Sequence, residues 1–256
     1  MASVAVAPEI HSVDSDRCVC NNVNPVIETG SASQACAAIR QGQESRKTPM
    51  AVEPIPLPVA ASEATIQRVA DKLRANNIEI VLVDTGDEAR DAVLERVPEG
   101  SEVITSKSMT LEETGVFAAL NDSGRYDAIR PKLLAMDRAT QGREMRKLGQ
   151  VPDTIVGSVA AVTEDGWLVA ASATGNQLAG YAAGAGRVIL VVGSQKIVPD
   201  FEAAMRRINE VVFPYEDARV RSTLGVGTKL EKILLLRGEW AEGRTTVILV
   251  REPVGV

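Results

Sequence analysis

Val188-Ile189-Leu190-Val191-Val192, running on through Gly193-Ser194-Gln195-Lys196-Ile197-Val198-Pro199-Asp200, is the stretch on which the fold turns. Its first part is an unbroken apolar run of strand length with no polar alternation, the pattern of a strand buried on both faces. A strand covered on both sides belongs to a sheet with helices above and below it. Pro199 then suits the start of a helix, where its missing N–H is no loss. Phe201, Ala204, Met205 and Ile208 share one face of that helix.

Upstream, the same alternation recurs. Ser62 can cap a helix that has Glu63 in its first turn and Ile66, Val69, Ala70 and Leu73 on one face, and Asn76-Asn77 ends it. Ile78–Val83 reads as a strand buried on both faces. Asp87 caps a second helix carrying Ala89, Val93 and Val97, and Glu102–Thr105 is the next strand. Thr110-Leu111-Glu112-Glu113 has the capping-box spacing and so opens a third helix. A short strand, Tyr126–Ile129, precedes a long polar helix that Pro131 starts. Asp153–Val162 and Trp167–Ala171 read as strands around the turn Glu164-Asp165-Gly166, a β-hairpin. The loop Ser172–Asn176 leads to a helix of small residues, Leu178–Ala185. Its Gly180 and Gly184 spacing, in a chain without a membrane span, means close helix–sheet packing. Ile233–Leu236 and Thr246–Val250 close the structure. The expected class is α/β, a mostly parallel sheet flanked by helices with a β-hairpin insertion.

Before Ser62 neither helical nor strand periodicity is sustained, and Pro49, Pro54, Pro56 and Pro58 form an extended linker. Residues 1–60 are therefore expected to be a disordered extension, with at most a short helix at Ala32–Arg40, and 61–256 to be one domain. The net charge of -6 gives no basic field for nucleic acid or an anionic membrane surface. No apolar run reaches the length of a membrane span, and no cationic region followed by an apolar core reads as a secretory signal. The cytoplasm is the expected location. His11 is the only histidine, and Cys18, Cys20 and Cys36 are the only cysteines. The expected domain thus holds neither imidazole nor thiol, which excludes Ser-His-Asp and Cys-His catalysis, His/Cys zinc sites and cysteine-held clusters. No cofactor or metal is expected, and chemistry must run on carboxylates, Lys, Arg, Tyr, hydroxyls or backbone N–H groups. No nucleotide-binding glycine motif of correct spacing is present.

Thr163-Glu164-Asp165-Gly166, then Thr174-Gly175-Asn176, then Arg187–Gly193, then Lys196-Ile197-Val198-Pro199-Asp200 together resemble the LUD (lactate utilization) domain family. Its lactate-utilization protein C is the nearest kind of match. Ser106-Lys107-Ser108-Met109 followed by Glu112-Glu113-Thr114-Gly115 is similar to the family's Lys-Ser pattern after an early strand. The resemblance implies the NagB/RpiA/CoA-transferase-like fold and a role in lactate oxidation alongside iron–sulfur oxidoreductase partners. This chain lacks the Cys-rich segment of the larger family member and cannot itself hold those clusters.

Several residues are candidates for a site. Thr174, Gly175 and Asn176 lie between a strand and an expected helix start, where backbone N–H groups can seat a carboxylate or phosphate; the alternative is a tight turn and cap only. Lys107 and Ser108 follow a strand end and can converge on the same crevice. Lys196 follows the decisive strand in the same way. Glu112 and Glu164 are candidates for moving a proton, whereas Glu113 is explained by capping. The leading expectation is a LUD-domain protein binding a small anionic metabolite at strand ends. A free-standing sugar-phosphate isomerase-like or CoA-transferase-like enzyme using Glu112 or Glu164, and a non-catalytic ligand-responsive interaction module, are the alternatives.

Overall fold

The computed structural model describes residues 59–256. The N-terminal extension, the Ala32–Arg40 helix, His11 and the three cysteines therefore lie outside the described residues. In chain order the elements are α1 (Glu63–Ala75), β1 (Glu79–Val83), α2 (Gly86–Arg96), β2 (Glu102–Thr105), α3 (Met109–Glu113), α4 (Val116–Asn121), β3 (Asp127–Ala128), α5 (Ile129–Ala135), α6 (Arg138–Gln150) and β4 (Thr154–Gly157). They continue with β5 (Ala161–Thr163), β6 (Leu168–Ser172), a π-helical turn at Gly180–Gly184, β7 (Arg187–Gly193), β8 (Ile197–Val198), α7 (Phe201–Arg207), a second π turn at Ile208–Val212, α8 (Phe213–Leu224), β9 (Lys232–Leu236) and β10 (Thr245–Val250).

A six-stranded sheet in the order β1-β10-β7-β4-β2-β3 is parallel throughout. β7 and β10 lie inside it, and every residue of β10 is buried. Alternate residues of these two strands face opposite sides, because side chains along a strand have period two. Val188, Leu190, Val192, Val247 and Leu249 pack with Ile66, Val69 and Leu73 of α1. Ile189, Val191, Ile248 and Val250 pack with Ala89 and Val93 of α2, Leu111 of α3 and Val116 and Leu120 of α4. Two cores thus sandwich one sheet, as the apolar run at Val188–Val192 predicts. β1 departs from expectation. It is only half-buried, because it occupies an edge of the sheet and not its middle.

The expected hairpin belongs to something larger. Asp153–Val162 is not one strand: β4 joins the parallel sheet, the chain leaves at Ser158–Ala160, and β5 enters a second sheet ordered β8-β5-β6-β9. There β5 and β9 run antiparallel to β6, and β8 runs parallel to β5. Only Gly157 and Ser158 interrupt the apolar residues of the two pieces, and no change of period marks the break. Helix α7 covers this second sheet, with Ala204 and Ile208 packed on Ala161 and Val169.

Local starts and stops are partly as expected. Ser62 caps α1, its side-chain oxygen accepting from the Thr65 amide at 3.2 Å. Asn77 ends that helix in the left-handed region at φ 59°. α2 is capped by Thr85 and not by Asp87, since the Thr85 oxygen accepts from the Glu88 amide at 3.3 Å. The third helix begins at Met109 after Ser108, with no capping box. Thr110 and Glu113 face other partners: the Thr110 hydroxyl accepts from Lys196, and the Glu113 carboxylate accepts from the Gly255 amide at 2.5 Å. The long polar helix is two helices, α5 and α6, with Pro131 inside the first turn of α5. The expected helix Leu178–Ala185 is present over residues 178–184, its last five residues wound as the π turn that buries Tyr181.

Asp200 is a direct test of capping on α7. Its carboxylate accepts from the Ala203 amide at 2.7 Å. Asp200→Ala should lower unfolding stability in urea by about 1 kcal/mol with an unchanged denaturant slope.

Candidate functional site

Strands β2, β4 and β7 are neighbours and parallel, so their C-terminal ends emerge on one side of the sheet. Each is followed by a short segment that opens with a serine: Ser106–Ser108, Ser158–Ala160 and Ser194–Lys196. Together with the loop after β6 and the α8 region, these segments enclose a cavity of about 300 Å³. That is where an open α/β sheet places ligands, and the size suits a small metabolite.

Lys196 forms part of the lining and is 2% exposed. Its Nζ lies 2.7 Å from Thr110 Oγ1, 3.1 Å from Ser158 Oγ and 3.5 Å from the Val159 carbonyl oxygen. None of these partners carries charge, and Lys196 makes no ion pair among the described residues. Burial disfavours the ammonium, and the nearby Arg207 guanidinium adds to that; Glu113 opposes them. The result is a pKa pushed down to about 7. Arg207 is itself largely buried, its own pKa is lowered by desolvation, and its Nε has no hydrogen-bond partner among the described residues. Lys196 thus gives the cavity lining a buried cation with no ion-pair partner among the described residues, and the partly buried Arg207 guanidinium lies close behind it. An isolated buried charge of this kind is costly unless something compensates it.

The rim is charged but balanced. Lys107 is ion-paired to Glu112 and stands 5.1 Å above the Phe117 ring, with Arg130 at 5.5 Å from the same ring. On α8, Arg219 holds Glu216 in a two-pronged pair at 2.6 and 2.7 Å. Both pairs line the opening.

The candidates divide as follows. Lys107, Ser108, Glu112, Thr174, Asn176 and Lys196 all line this one cavity. Glu164 does not. It pairs with Arg68 of α1 at 3.1 Å while its amide bonds to the Val198 carbonyl, on the flank of the second sheet. Gly175 has the left-handed backbone expected of a turn, φ 80°, but its amide is already donated to Ser172 Oγ at 2.9 Å. Asn176 Oδ1 accepts from the Gln177 amide at 3.0 Å. A short helical stretch, residues 178–184, most of it the π turn, follows the loop directly. The loop is a wall of the cavity, and the amide cradle expected of it is not built. Thr110, Ser158 and Arg207 were not candidates. Thr110 was hidden behind its capping-box spacing, Ser158 inside an apparently continuous strand, and Arg207 among the polar positions of α7.

Among the described residues no helix is long and apolar enough to cross a membrane. No group of three or more His, Cys, Asp or Glu side chains clusters there as metal ligands would. No curated protein matches the chain. The crystal structure of a DUF162 family protein from Deinococcus radiodurans is similar, with 16% sequence identity and a TM-score of 0.43 over 74% of this chain and 99% of that one. The model of the LUD domain matches residues 66–250, most of the described fold, and this chain belongs to the LUD domain family.

Proposed function

We propose that this LUD-domain protein binds a small organic anion of the lactate class in the strand-end cavity. On this reading it serves lactate or organic-acid utilization in the cytoplasm, together with iron–sulfur oxidoreductase partners. Binding resides in residues 61–256. The observation that carries the reading is Lys196, a buried cation in the cavity lining with no ion-pair partner among the described residues and with the Arg207 guanidinium nearby. A carboxylate entering the cavity supplies the missing charge and gains charge-assisted hydrogen bonds. The isomerase-like or transferase-like alternative leans on Glu112 and Glu164. It draws little support from a site that contains only the first of them, already paired to Lys107.

Thermal-shift titration with lactate, a sugar phosphate and an acyl-CoA tests the reading. Lactate should raise the melting temperature of the parent chain. Lys107→Ala should weaken that binding by ~1.5 kcal/mol, the lower end for a hydrogen bond to a charged group, because Glu112 already neutralises part of the Lys107 charge. Melting of the unliganded protein should hardly change, since exposed ion pairs contribute little. If no anion shifts the melt, the cavity is not an anion site.

A further inference from the structure

We propose that Lys196 is a nucleophile whose side-chain amine condenses with the carbonyl of a small 2-oxo acid bound in the strand-end cavity, forming an imine. The inference rests on the anion site proposed above and adds the chemical class of the ligand and the bond it makes.

The argument begins with what surrounds the amine. Three exposed lysines have carboxylates beside them: Lys107 has Glu112, Lys132 has Asp127 and Lys229 has Glu231. Lys196 alone is buried, and its partners are two hydroxyls and a carbonyl. Such an environment stabilises a neutral amine as readily as an ammonium, because a neutral amine donates two hydrogen bonds and accepts one. Burial together with Arg207 keeps that neutral form populated near neutrality. Arg207 stays charged at any working pH, so its field continues to favour the ligand's carboxylate after Lys196 has lost its proton. Desolvating a lysine beside another cation is a recognised way of activating it as a nucleophile. Among the described residues there is no thiol or imidazole, since every cysteine and histidine precedes Ser62 in the sequence.

The step balances without any co-reactant. The Nζ lone pair forms a bond to the carbonyl carbon, and the π pair moves onto the oxygen. That oxygen takes a proton released from nitrogen, and the Thr110 and Ser158 hydroxyls at 2.7 and 3.1 Å are placed to relay it. The carbinolamine oxygen takes a further proton and leaves as water while nitrogen gives up its second proton to solvent and forms the C=N bond. Amine and 2-oxo acid become imine and water, and nothing is oxidised or reduced. An acid of this kind is supplied by the two-electron oxidation of a 2-hydroxy acid, which places the step after a dehydrogenation.

The test uses the full chain, pyruvate and sodium cyanoborohydride, with peptide mapping by mass spectrometry. Reduction should leave one adduct, equal to the acid less one oxygen, on the peptide containing Lys196. The adduct should be absent without reductant, absent with lactate in place of pyruvate, and suppressed by excess lactate. Its yield should rise with pH through about 7 as the neutral fraction grows. Lys196→Arg keeps a cation but cannot condense, so it should lose the adduct; should that variant fail to fold, the parent's peptide map decides alone. Melting shifts with lactate and pyruvate but no adduct would overturn the imine and leave the anion site standing. An adduct scattered over exposed lysines such as Lys229, with Lys196 spared, also overturns it. Neither shift nor adduct overturns both proposals.

Discussion

Lys196→Met should make the protein more stable at pH 6, by roughly 5 kcal/mol as an upper figure, and the advantage should shrink steadily towards pH 10.5. The folded-state pKa of Lys196 is about 7, below its ordinary value of 10.5. Between those two values the unfolded chain binds more protons than the folded one, so the stability of the parent rises with pH across that window. Below pH 7 the whole penalty of a buried ammonium is present, at about 1.4 kcal/mol for each unit of displacement. Above 10.5 it is gone. Methionine keeps the length and flexibility of the stem and removes the charge. It leaves no hydroxyl stranded, because Ser158 Oγ lies 3.3 Å from Thr110 Oγ1 and Thr110 Oγ1 lies 3.5 Å from the Val254 carbonyl. Urea unfolding of parent and variant at pH 6, 8 and 10 measures the difference directly. A gap that does not change with pH would show that Lys196 is not a buried, titrating amine. The same variant should bind lactate more weakly. In the parent, lactate affinity should fall above pH 7 as Lys196 loses its charge, and level off where Arg207 alone attracts the carboxylate.

How much of this was legible in the sequence follows from which signals are local. The strand at Val188–Val192, the cap at Ser62 and the strand Glu102–Thr105 are written in adjacent residues, and the structure has them where they were read. The parallel sheet follows from the alternation of helix and strand. Sheet order does not, and so β1 was taken for an inner strand although it lies at an edge. The division of Asp153–Val162 between two sheets was hidden because both pieces are buried throughout and so carry the same kind of residue. The cavity was half legible for the same reason. Lys107 and Lys196 each follow a strand end, and parallel strands deliver such positions to one side. Glu164 follows a strand end too, but of β5 in the second sheet, so it emerges elsewhere. What makes Lys196 unusual is the absence of a carboxylate near it, and no local pattern can express an absence. Thr110 shows the converse hazard. Its spacing to Glu113 fits a capping box, yet Lys196 and Gly255, both distant in sequence, claim the two side chains.

Gly157→Ala should be among the most damaging single substitutions in the fold, at about 3 kcal/mol, the upper range for forcing atoms into a filled core. A Cβ at Gly157 would fall 1.7 Å from Tyr181 Oη, 2.7 Å from Tyr181 Cζ and 2.9 Å from Ser106 Oγ. Tyr181 cannot swing aside, because it is fully buried against Ile155, Val188 and Leu190 in one of the two cores. Burial pushes its hydroxyl pKa up to about 12, so at ordinary pH it stays a neutral donor, bonded to the Ser158 carbonyl at 3.3 Å. The close approach is thus what lets the chain leave β4 at this point and carry Ser158 to Lys196. Tyr181→Phe alone should cost about 1 kcal/mol for the lost hydrogen bond. In the Gly157→Ala background it removes the nearest clash and should return part of the lost stability, so the two changes should couple and not add. The rescue will be incomplete, since the ring carbon is still too close. Equilibrium unfolding of the parent, both single variants and the double variant closes the cycle. Simple additivity would show that the contact between Gly157 and Tyr181 does not set the exit of β4. Lactate binding by the double variant then reports on the cavity. If Ser158 has been returned to Lys196, affinity recovers along with stability; if only the core has relaxed, stability returns and binding does not.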